Sequence, residues 1–260
     1  MVRFTLMIVF ILAANQVYSN EIDNWVSLGD THWESRDRLE SMEKAVECYK
    51  KAIELKPDDL GLLERLSYAC FFQGWELKEF RGIEYKKKRE ALFTSGMRYA
   101  EKALVISPES TMAKFRYILN KLMYRREFSI ISSAKMVPEL RDCLTTIMEK
   151  DQFLESGGPQ RVMANLIMEV PGFLHSSFSL GNLEEAEKML KEAISFDSRF
   201  ILNYITLADV YMKQKKKKKE AKEQLQIAID YPIDPEYTYA AENRRDKKAA
   251  MVKMKEYFGR

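Results

Sequence analysis

The fold of this chain is decided by residues 181–197, which read GNLEEAEKMLKEAISFD. Ala186, Leu190 and Ala193 follow one another at spacings of four and three residues, so they lie on one face of a helix. The two alanines are small enough to let another helix approach closely. Charged residues occupy half of the other positions and keep the opposite face solvated. The stretch therefore predicts an amphipathic helix that packs tightly against a neighbouring helix.

The same spacing returns 35 residues further on, at Ala221, Leu225 and Ala228. A helical pattern that recurs with a period of about 34 residues is typical of tetratricopeptide repeats, in which each unit is a hairpin of two helices. The recurrence predicts that the C-terminal part of the chain is a stack of such hairpins.

The N-terminal part begins another copy of the repeat. Its opening pattern W-x2-L-G-x2-Y is present at residues 25–32, with His32 at the tyrosine position. The second-helix pattern follows at 45–57 and ends in a proline, which cannot continue a helix. Four residues more than the standard unit separate Gly29 from Ala45, and the simplest prediction is a longer first helix.

The remaining segments are predicted to be stretched or degenerate copies of the hairpin. In the second hairpin the surplus residues lie between Gly74 and Phe93, and extended helix ends are the simplest prediction. The third hairpin is predicted as helices over 113–124 and 137–148, with residues 129–135 as their connection. A last helix over 242–258 is expected to cap the array, because a terminal repeat otherwise exposes an apolar face.

The predicted fold class is all-α. Hydrophobic residues make up 46% of the chain and charged residues 31%, which fits a folded helical protein, and the 10 Gly and 7 Pro are too few for a turn-rich β architecture. We predict a single tetratricopeptide-like domain over residues 20–260, a helical-hairpin solenoid of about five helix pairs plus a C-terminal capping helix.

Residues 1–19 have the pattern of a secretory signal peptide. Arg3 is followed by an apolar run over residues 4–14, and small residues precede a predicted cleavage site after Ser19. An apolar run of this length is too short to span a bilayer comfortably as a helix. The alternative is that the segment is retained as an uncleaved membrane anchor. No cysteine near the cleavage site is available for lipid attachment. We therefore expect a periplasmic protein without stable membrane insertion of the mature chain.

No catalytic or metal-binding arrangement is recognisable in the sequence. His32 and His175 have no Cys, Asp or Glu partner at metal-ligand spacing, and the cysteines match no zinc site. There is also no Ser-His or Cys-His arrangement and no glycine-rich phosphate loop after a strand. We predict a protein that is not an enzyme and that holds no metal and no cofactor. Buried free side chains are expected at Cys48 and Cys70, with a bridge between them as the alternative.

Charge gives no support for a nucleic-acid partner. The chain has 42 basic and 39 acidic residues, a formal net charge of +3. Its one lysine run, Lys215–Lys219, falls at the expected turn of the fifth hairpin. A solvated turn is the plainest interpretation of the run, with an anionic contact as the alternative.

Candidate binding residues follow from the repeat geometry. In a helical-hairpin solenoid the first helix of each unit lines the concave face, where ligands and peptides bind. The alternative is that residues at these positions pack between adjacent hairpins. Counting from the repeat positions gives the candidate ligand-binding or partner-binding residues as Asp30, Trp33, Tyr68, Phe71, Asp209 and Met212.

Features on both sides of the quoted stretch resemble one family of tetratricopeptide proteins. They are the Gly-Gly-Pro-Gln-Arg loop at 157–161, the break at Pro171 before the helix that follows Gly181, and the closing-helix sequence at 241–243. This combination resembles the T component of tripartite ATP-independent periplasmic (TRAP) transporters, known as TatT, over roughly the C-terminal half of the chain. The family-motif residues are Gly157, Gly158, Pro159 and Arg161.

The resemblance implies a non-catalytic periplasmic protein. Members of this family are thought to assemble as trimers and to dock the solute-binding subunit of the transporter, so the implied role is assistance in the uptake of a small organic solute. Family members are often lipoproteins, and this chain departs from them because no lipidation cysteine follows its signal. The alternative function is a generic periplasmic tetratricopeptide scaffold for envelope protein assembly.

Overall fold

A computed structural model describes residues 20–128 and 130–259, and within these residues it contains eleven α-helices and no strand. The all-α fold that the sequence predicts is confirmed. The predicted signal peptide, residues 1–19, lies outside the described residues.

The described chain divides into two compact units, the first ending at Tyr124 and the second beginning at Arg125. The first unit contains α1 (20–33), α2 (Leu39–Leu55), α3 (Leu60–Glu76), a 3-10 helix (Leu77–Glu79), α4 (Ile83–Ile106) and most of α5 (Thr111–Phe128). The second unit contains α6 (Ile130–Lys150), α7 (Leu154–Glu169), a 3-10 helix (Gly172–Leu174), α8 (Leu183–Phe196), α9 (Leu202–Lys213), α10 (Lys218–Asp230) and α11 (Ala240–Phe258). The single domain over residues 20–260 stays a prediction.

The core of the first unit is built from small and aliphatic side chains on the facing sides of its helices. Ala45, Tyr49 and Ala52 of α2 form one cluster with Leu62 and Leu66 of α3. Both alanines occupy repeat positions and have no exposed surface. They let α2 and α3 approach closely, as the repeat pattern predicts.

A buried polar junction joins α3, α4 and α5. The Ser67 hydroxyl donates to the Gly96 carbonyl at 2.8 Å, and the Asn120 amide donates to the Ser67 carbonyl at 3.0 Å. A Cβ at Gly96 would overlap the Asn120 side chain, so a larger residue there would displace Asn120. Since a buried polar group without a partner is costly, these bonds fix how the three helices pack.

In the second unit the quoted stretch forms α8, which buries Ala186, Leu190 and Ala193 completely. The second copy of the pattern forms α10 and buries its matching residues in the same way. Each helix from α6 to α11 packs against the next one along the chain, and α9 also contacts α7 and α11. These contacts confirm the predicted stack of helical hairpins and the C-terminal helix that covers its last pair.

The prediction of a longer first helix is wrong. Helix α1 ends at residue 33, and a turn over residues 34–38 holds the surplus residues. The Arg36 guanidinium donates to the Trp33 carbonyl at 2.9 Å and lies 5.0 Å from the centre of the Trp33 ring. This buried arginine closes the turn, because its backbone amide and its side chain both donate to the Trp33 carbonyl at the helix end.

The predicted connection over 129–135 is also wrong for residues 130–135, because α6 begins at Ile130 and runs through Pro138. A proline inside a helix removes one backbone hydrogen bond, and the helix can continue when its other bonds remain. Helix α6 therefore starts before the residues in which the helical period is visible. Residue 129 lies outside the described residues.

The extra residues of the second hairpin lie between Gly74 and Phe93, as the sequence predicts. After α3 and its 3-10 turn, Gly82 adopts a φ of 120°, which favours glycine, and α4 follows. The first buried residue of α4 is Phe93. The N-terminal turns of α4 therefore lie outside the core of the first unit, which confirms the predicted extended helix end.

Candidate partner-binding site

Three of the predicted binding residues meet on the first unit. The ring centre of Trp33 in α1 lies 5.7 Å from that of Tyr68 in α3, and the Tyr68 and Phe71 rings lie nearly parallel with centres 6.2 Å apart. All three side chains are half-buried. Each ring therefore packs on its neighbours and still presents part of its surface to solvent.

Two aromatic residues that the sequence analysis missed complete this group. The buried Phe72 ring lies 4.7 Å from Tyr68, and the half-buried Trp75 ring lies 6.0 Å from Phe71. The positions 68, 71, 72 and 75 follow the spacing of one helix face, and this signal could have found them. The aromatic patch is defined as Trp33, Tyr68, Phe71, Phe72 and Trp75.

Cationic side chains border the aromatic patch. The Arg116 guanidinium lies 3.2 Å from the centre of the Tyr68 ring, and the Lys78 ammonium lies 3.8 Å from the centre of the Trp75 ring. An aromatic face attracts a cation through its quadrupole. Arg116 is buried beneath Tyr68, with 6% of its surface exposed, whereas Lys78 is exposed. The patch therefore combines apolar rings with an exposed positive charge at Lys78, a composition that suits a protein surface with apolar and acidic residues.

Asp30 lies beside the aromatic patch, near its Trp33 end. Its carboxylate accepts a hydrogen bond from the Tyr49 hydroxyl at 2.7 Å and pairs with Arg65 at 3.3 Å. Burial, and then the Asp30 carboxylate, raise the pKa of Tyr49 above its ordinary value. The Tyr49 ring in turn lies 6.5 Å from Trp33. Asp30 thus orients the base of the patch while its own side chain stays about half exposed.

The candidates of the second unit have a different setting. The Asp209 carboxylate accepts hydrogen bonds from the Lys253 ammonium at 2.8 and 2.9 Å and from the Tyr257 hydroxyl at 2.8 Å. Burial lowers the pKa of Lys253, but the Asp209 charge outweighs it, and the net effect raises that pKa. Met212 is half-buried, on the same helix. Asp209 is thus bound to the C-terminal helix, and its role in partner binding stays a prediction.

The family-motif loop forms an unusual backbone turn. Glu155, Ser156 and Gly157 are consecutive residues in the left-handed region, with φ of 51°, 51° and 83°. A Cβ at Gly157 would overlap the Ala193 side chain of α8. Pro159 then stands near the start of the regular helix, where a missing amide hydrogen costs nothing. The loop therefore brings α7 into close contact with α8.

Arg161 is the side chain that holds this turn. Its guanidinium donates to the carbonyls of Ser156 at 2.6 Å and Glu155 at 2.9 Å, and to the side chain of Asn203 at 2.8 Å. It also lies 4.3 Å from the centre of the Phe200 ring. With only 8% of its surface exposed, Arg161 joins the turn to α9. Gly157 and Arg161 of the family motif therefore have structural contacts in this fold.

Asp197, the last residue of the stretch 181–197, forms a second polar junction, which the sequence analysis did not predict. Its carboxylate accepts hydrogen bonds from the hydroxyls of Ser156 at 2.7 Å and Tyr237 at 2.5 Å. Burial raises the pKa of Asp197, but these bonds outweigh it and the pKa is lowered. Asp197 thereby ties the end of α8 to the family-motif loop and to the segment before α11.

A shallow open groove of about 540 Å³ lies along α8. Glu187 at its base pairs with Lys191 at 2.8 Å and with Lys217 at 2.5 Å, and accepts a bond from Gln214 at 3.2 Å. Burial opposes the ionisation of Glu187, but these donors outweigh it and lower its pKa to about 2.

The turn predicted at the lysine run is confirmed, because α9 ends at Lys213 and α10 begins at Lys218. Within this turn Lys217 pairs with Glu187 of α8.

The remaining sequence predictions concern cysteines and membranes. Cys48 and Cys70 are buried and free, as expected, and burial raises the pKa of Cys70 to about 12. Among the helices of residues 20–128 and 130–259, none is both long and apolar enough to cross a bilayer.

Comparison with known proteins identifies the repeat. The tetratricopeptide repeat family matches residues 22–59 and residues 174–200, which include the quoted stretch. The fold is similar to the crystal structure of a thermophilic tetratricopeptide-repeat protein from Thermus thermophilus, with a TM-score of 0.57 and 14% identity over 89% of this chain and 99% of that one. At this identity the likeness establishes the fold alone. None of the curated proteins matches the chain.

The fold and the matched segments define the class: the chain has the helical-repeat fold of tetratricopeptide proteins, and two of its segments match the repeat. Helical repeats of this kind present extended surfaces on which other molecules can bind. Within this class the TatT resemblance of the C-terminal half stays a prediction.

Proposed function

We propose that the protein is a periplasmic accessory subunit of the TRAP-transporter T-component kind, which docks a solute-binding protein and assists the uptake of a small organic solute. The signal-like residues 1–19 support export, and the motif resemblance at 157–161 supports the family. The observation that carries a docking role is the aromatic patch, because it is the described surface where predicted binding residues converge.

The composition of the aromatic patch favours a protein partner. Trp and Tyr are enriched where proteins bind one another, because they supply a large rigid contact area with a polar end. Its four half-buried rings are already packed on each other, so little side-chain freedom remains to be lost on docking. The exposed Lys78 at its border would pair with an acidic residue of the partner.

Capture of partners from a periplasmic extract tests this proposal. The tagged chain is expected to recover a solute-binding protein, identified by mass spectrometry. The double variant Phe71→Ala/Trp75→Ala should lose most of this capture, by about tenfold or more, because truncating aromatic anchors typically costs over 1 kcal/mol each. The control Phe173→Ala removes an aromatic ring that is 81% exposed in the second unit, and it should bind as the unaltered chain does.

The outcome also separates the two candidate functions. Recovery of envelope-assembly or cell-wall proteins alone would remove the transport role and favour the generic scaffold. Thermal unfolding followed by circular dichroism checks that the Phe71→Ala/Trp75→Ala variant is folded, so that a loss of capture reports on the surface itself.

Export and assembly are tested separately. The protein isolated from the periplasm should have Asn20 as its first residue, and N-terminal sequencing measures this. Sedimentation of this mature chain should show a homotrimer if the family resemblance extends to assembly. A monomer at high protein concentration would remove the trimer and leave the docking proposal standing.

A further inference from the structure

The segment that joins α3 to α4 has a surface that the repeat fold does not require. We define the basic-apolar tip as residues 77–89, which read LKEFRGIEYKKKR. After Leu77, none of its described side chains is buried. Ile83 is 77% exposed and Phe80 is 43% exposed. Large apolar side chains that are exposed next to one another commonly mark an interaction surface.

The tip has a defined shape. The Phe80 ring stacks on the Tyr85 ring with centres 5.1 Å apart, across the turn at Gly82. The Arg89 guanidinium donates to the carbonyls of Leu77 at 3.1 Å and Phe80 at 3.3 Å. These contacts fasten the segment before Gly82 onto the first turns of α4, so the apolar side chains are presented by an ordered backbone.

The tip concentrates positive charge. It contains six basic and two acidic residues, a formal net charge of +4, whereas the whole chain has +3. The rest of the chain is therefore slightly acidic, with a formal charge of −1. The Lys88 ammonium lies 3.4 Å from Glu84, and both of these side chains are exposed, so this pair leaves a cationic surface around the apolar residues.

We propose that the basic-apolar tip docks peripherally on an anionic phospholipid surface. The basic residues would lie among the headgroups, attracted by their charge. Phe80, Ile83 and Tyr85 would enter the boundary between headgroups and acyl chains, where aromatic rings and aliphatic side chains are both favoured. The inference does not rest on the proposed transport role.

The exposed Ile83 distinguishes a lipid surface from a nucleic acid. A nucleic acid would use the basic residues and the rings of Phe80 and Tyr85, since bases stack on aromatic faces. It does not need a highly exposed aliphatic side chain at the centre of the charge. A bilayer surface uses all three components at once.

Co-sedimentation with vesicles tests the proposal. The chain is used from Asn20, because the apolar run in residues 1–19 would itself bind lipid. We expect binding to vesicles of phosphatidylcholine mixed with phosphatidylglycerol, little binding to phosphatidylcholine alone, and release at high salt. Lys86→Gln/Lys87→Gln should weaken binding about 25-fold, roughly fivefold per charge. Phe80→Ser/Ile83→Ser should weaken it about tenfold or more.

Matched controls exist within the chain. Val105 and Ile106, at the other end of α4, are 83% and 43% exposed, so Val105→Ser/Ile106→Ser removes a similar exposed apolar area and should leave binding unchanged. Lys215→Gln/Lys216→Gln removes two charges from another lysine-rich turn and should have a much smaller effect than the tip lysines.

Four results would overturn the proposal. They are absence of binding, equal binding to the neutral vesicles, an equal effect of the control variants, and full retention of binding by Phe80→Ser/Ile83→Ser. If Phe80→Ser/Ile83→Ser retains both its vesicle binding and its heparin binding, the tip is a general anion site and lipid is not its specific partner. Because all the substituted side chains are exposed, a loss of binding is separable from a loss of folding.

Discussion

At the scale of single residues, the second unit depends on a few polar side chains and one glycine that the repeat pattern does not mark. Arg161 and Asp197 connect the family-motif loop to α8, α9 and the segment before α11. Arg161 donates to the side chain of Asn203 in α9, and Asp197 accepts from the hydroxyls of Ser156 and Tyr237, so both residues join parts of the chain that are about 40 residues apart. The loop therefore has a structural explanation that is independent of any partner.

Gly157→Ala should lower the free energy of unfolding by about 1–3 kcal/mol, since alanine at a φ of 83° is strained and its Cβ overlaps Ala193. Urea unfolding followed by circular dichroism measures the change. The control Gly172→Ala meets no atom within 4 Å and has no positive φ, so its effect should stay within about 0.5 kcal/mol. Equal losses in the two variants would contradict the explanation.

Glu187→Gln should change how stability depends on pH. The carboxyl has a pKa of about 2 in the folded chain, against an ordinary 4.5, so between these values the unfolded chain binds the proton more tightly. The stability from this site is therefore complete above pH 4.5 and is lost as pH falls toward 2. The variant should lose about 1–3 kcal/mol at neutral pH and show a smaller further loss in acid.

Unfolding in urea at a series of pH values gives this comparison. Glu192→Gln is the control, because Glu192 is an exposed residue further along the same helix. If the two variants have the same pH dependence, the buried network around Glu187 does not stabilise the fold.

At the scale of elements, the helix that the sequence marks most clearly has well-defined ends. The side chain of Asn182 accepts a hydrogen bond from the Glu185 amide at 2.9 Å, and Glu184 and Glu185 stand in the first turn of α8. Both features stabilise a helix N-terminus. The start of α8 is thus set by local chemistry, and its packing by the alanines.

Asn182→Ala should lower the free energy of unfolding by about 1 kcal/mol, since the amide hydrogen of Glu185 loses its acceptor. Asn182→Asp keeps an acceptor at the same position and should retain nearly all of the stability. Thermal or urea unfolding of the three proteins measures the difference. An equal loss of stability in the alanine and aspartate variants would show that the hydrogen bond from the Glu185 amide does not stabilise the helix.

At the scale of the whole molecule, each unit has its own core, and the C-terminal helix completes the second. The Asn243 side chain accepts from the Ile201 amide at 3.2 Å and donates to the Arg199 carbonyl at 2.7 Å. Asp209 adds its pair with Lys253. Helix α11 is thus joined to α9 and the turn before it by buried and half-buried polar bonds as well as by packing.

Deletion of residues 240–260 should expose the apolar side of the last hairpin. We expect the shortened chain to bind the dye ANS strongly, to aggregate, and to lose cooperative thermal unfolding, because a terminal repeat needs a cap. A control chain that ends after Phe258 keeps all of α11 and should behave as the full chain does. A soluble, cooperatively unfolding deletion variant would refute the capping role.

The sequence determined the helices, their repeat pattern and the fold class, because the spacing of small and apolar residues is a local property of the chain. It placed α8, α10 and the C-terminal helix correctly. It failed at the turn over residues 34–38, where a single arginine folds back on Trp33. It also failed at the start of α6, where a proline stands inside the helix.

Only the tertiary structure decided what the singled-out side chains contact. It brought Trp33, Tyr68 and Phe71 together in one patch. It also paired Asp209 with Lys253 of the C-terminal helix and Arg161 with Asn203 of α9. Spacing along the chain sets which face of a helix a residue occupies. Which residue of another helix lies opposite depends on how the helices pack, and that register is not written in any local pattern.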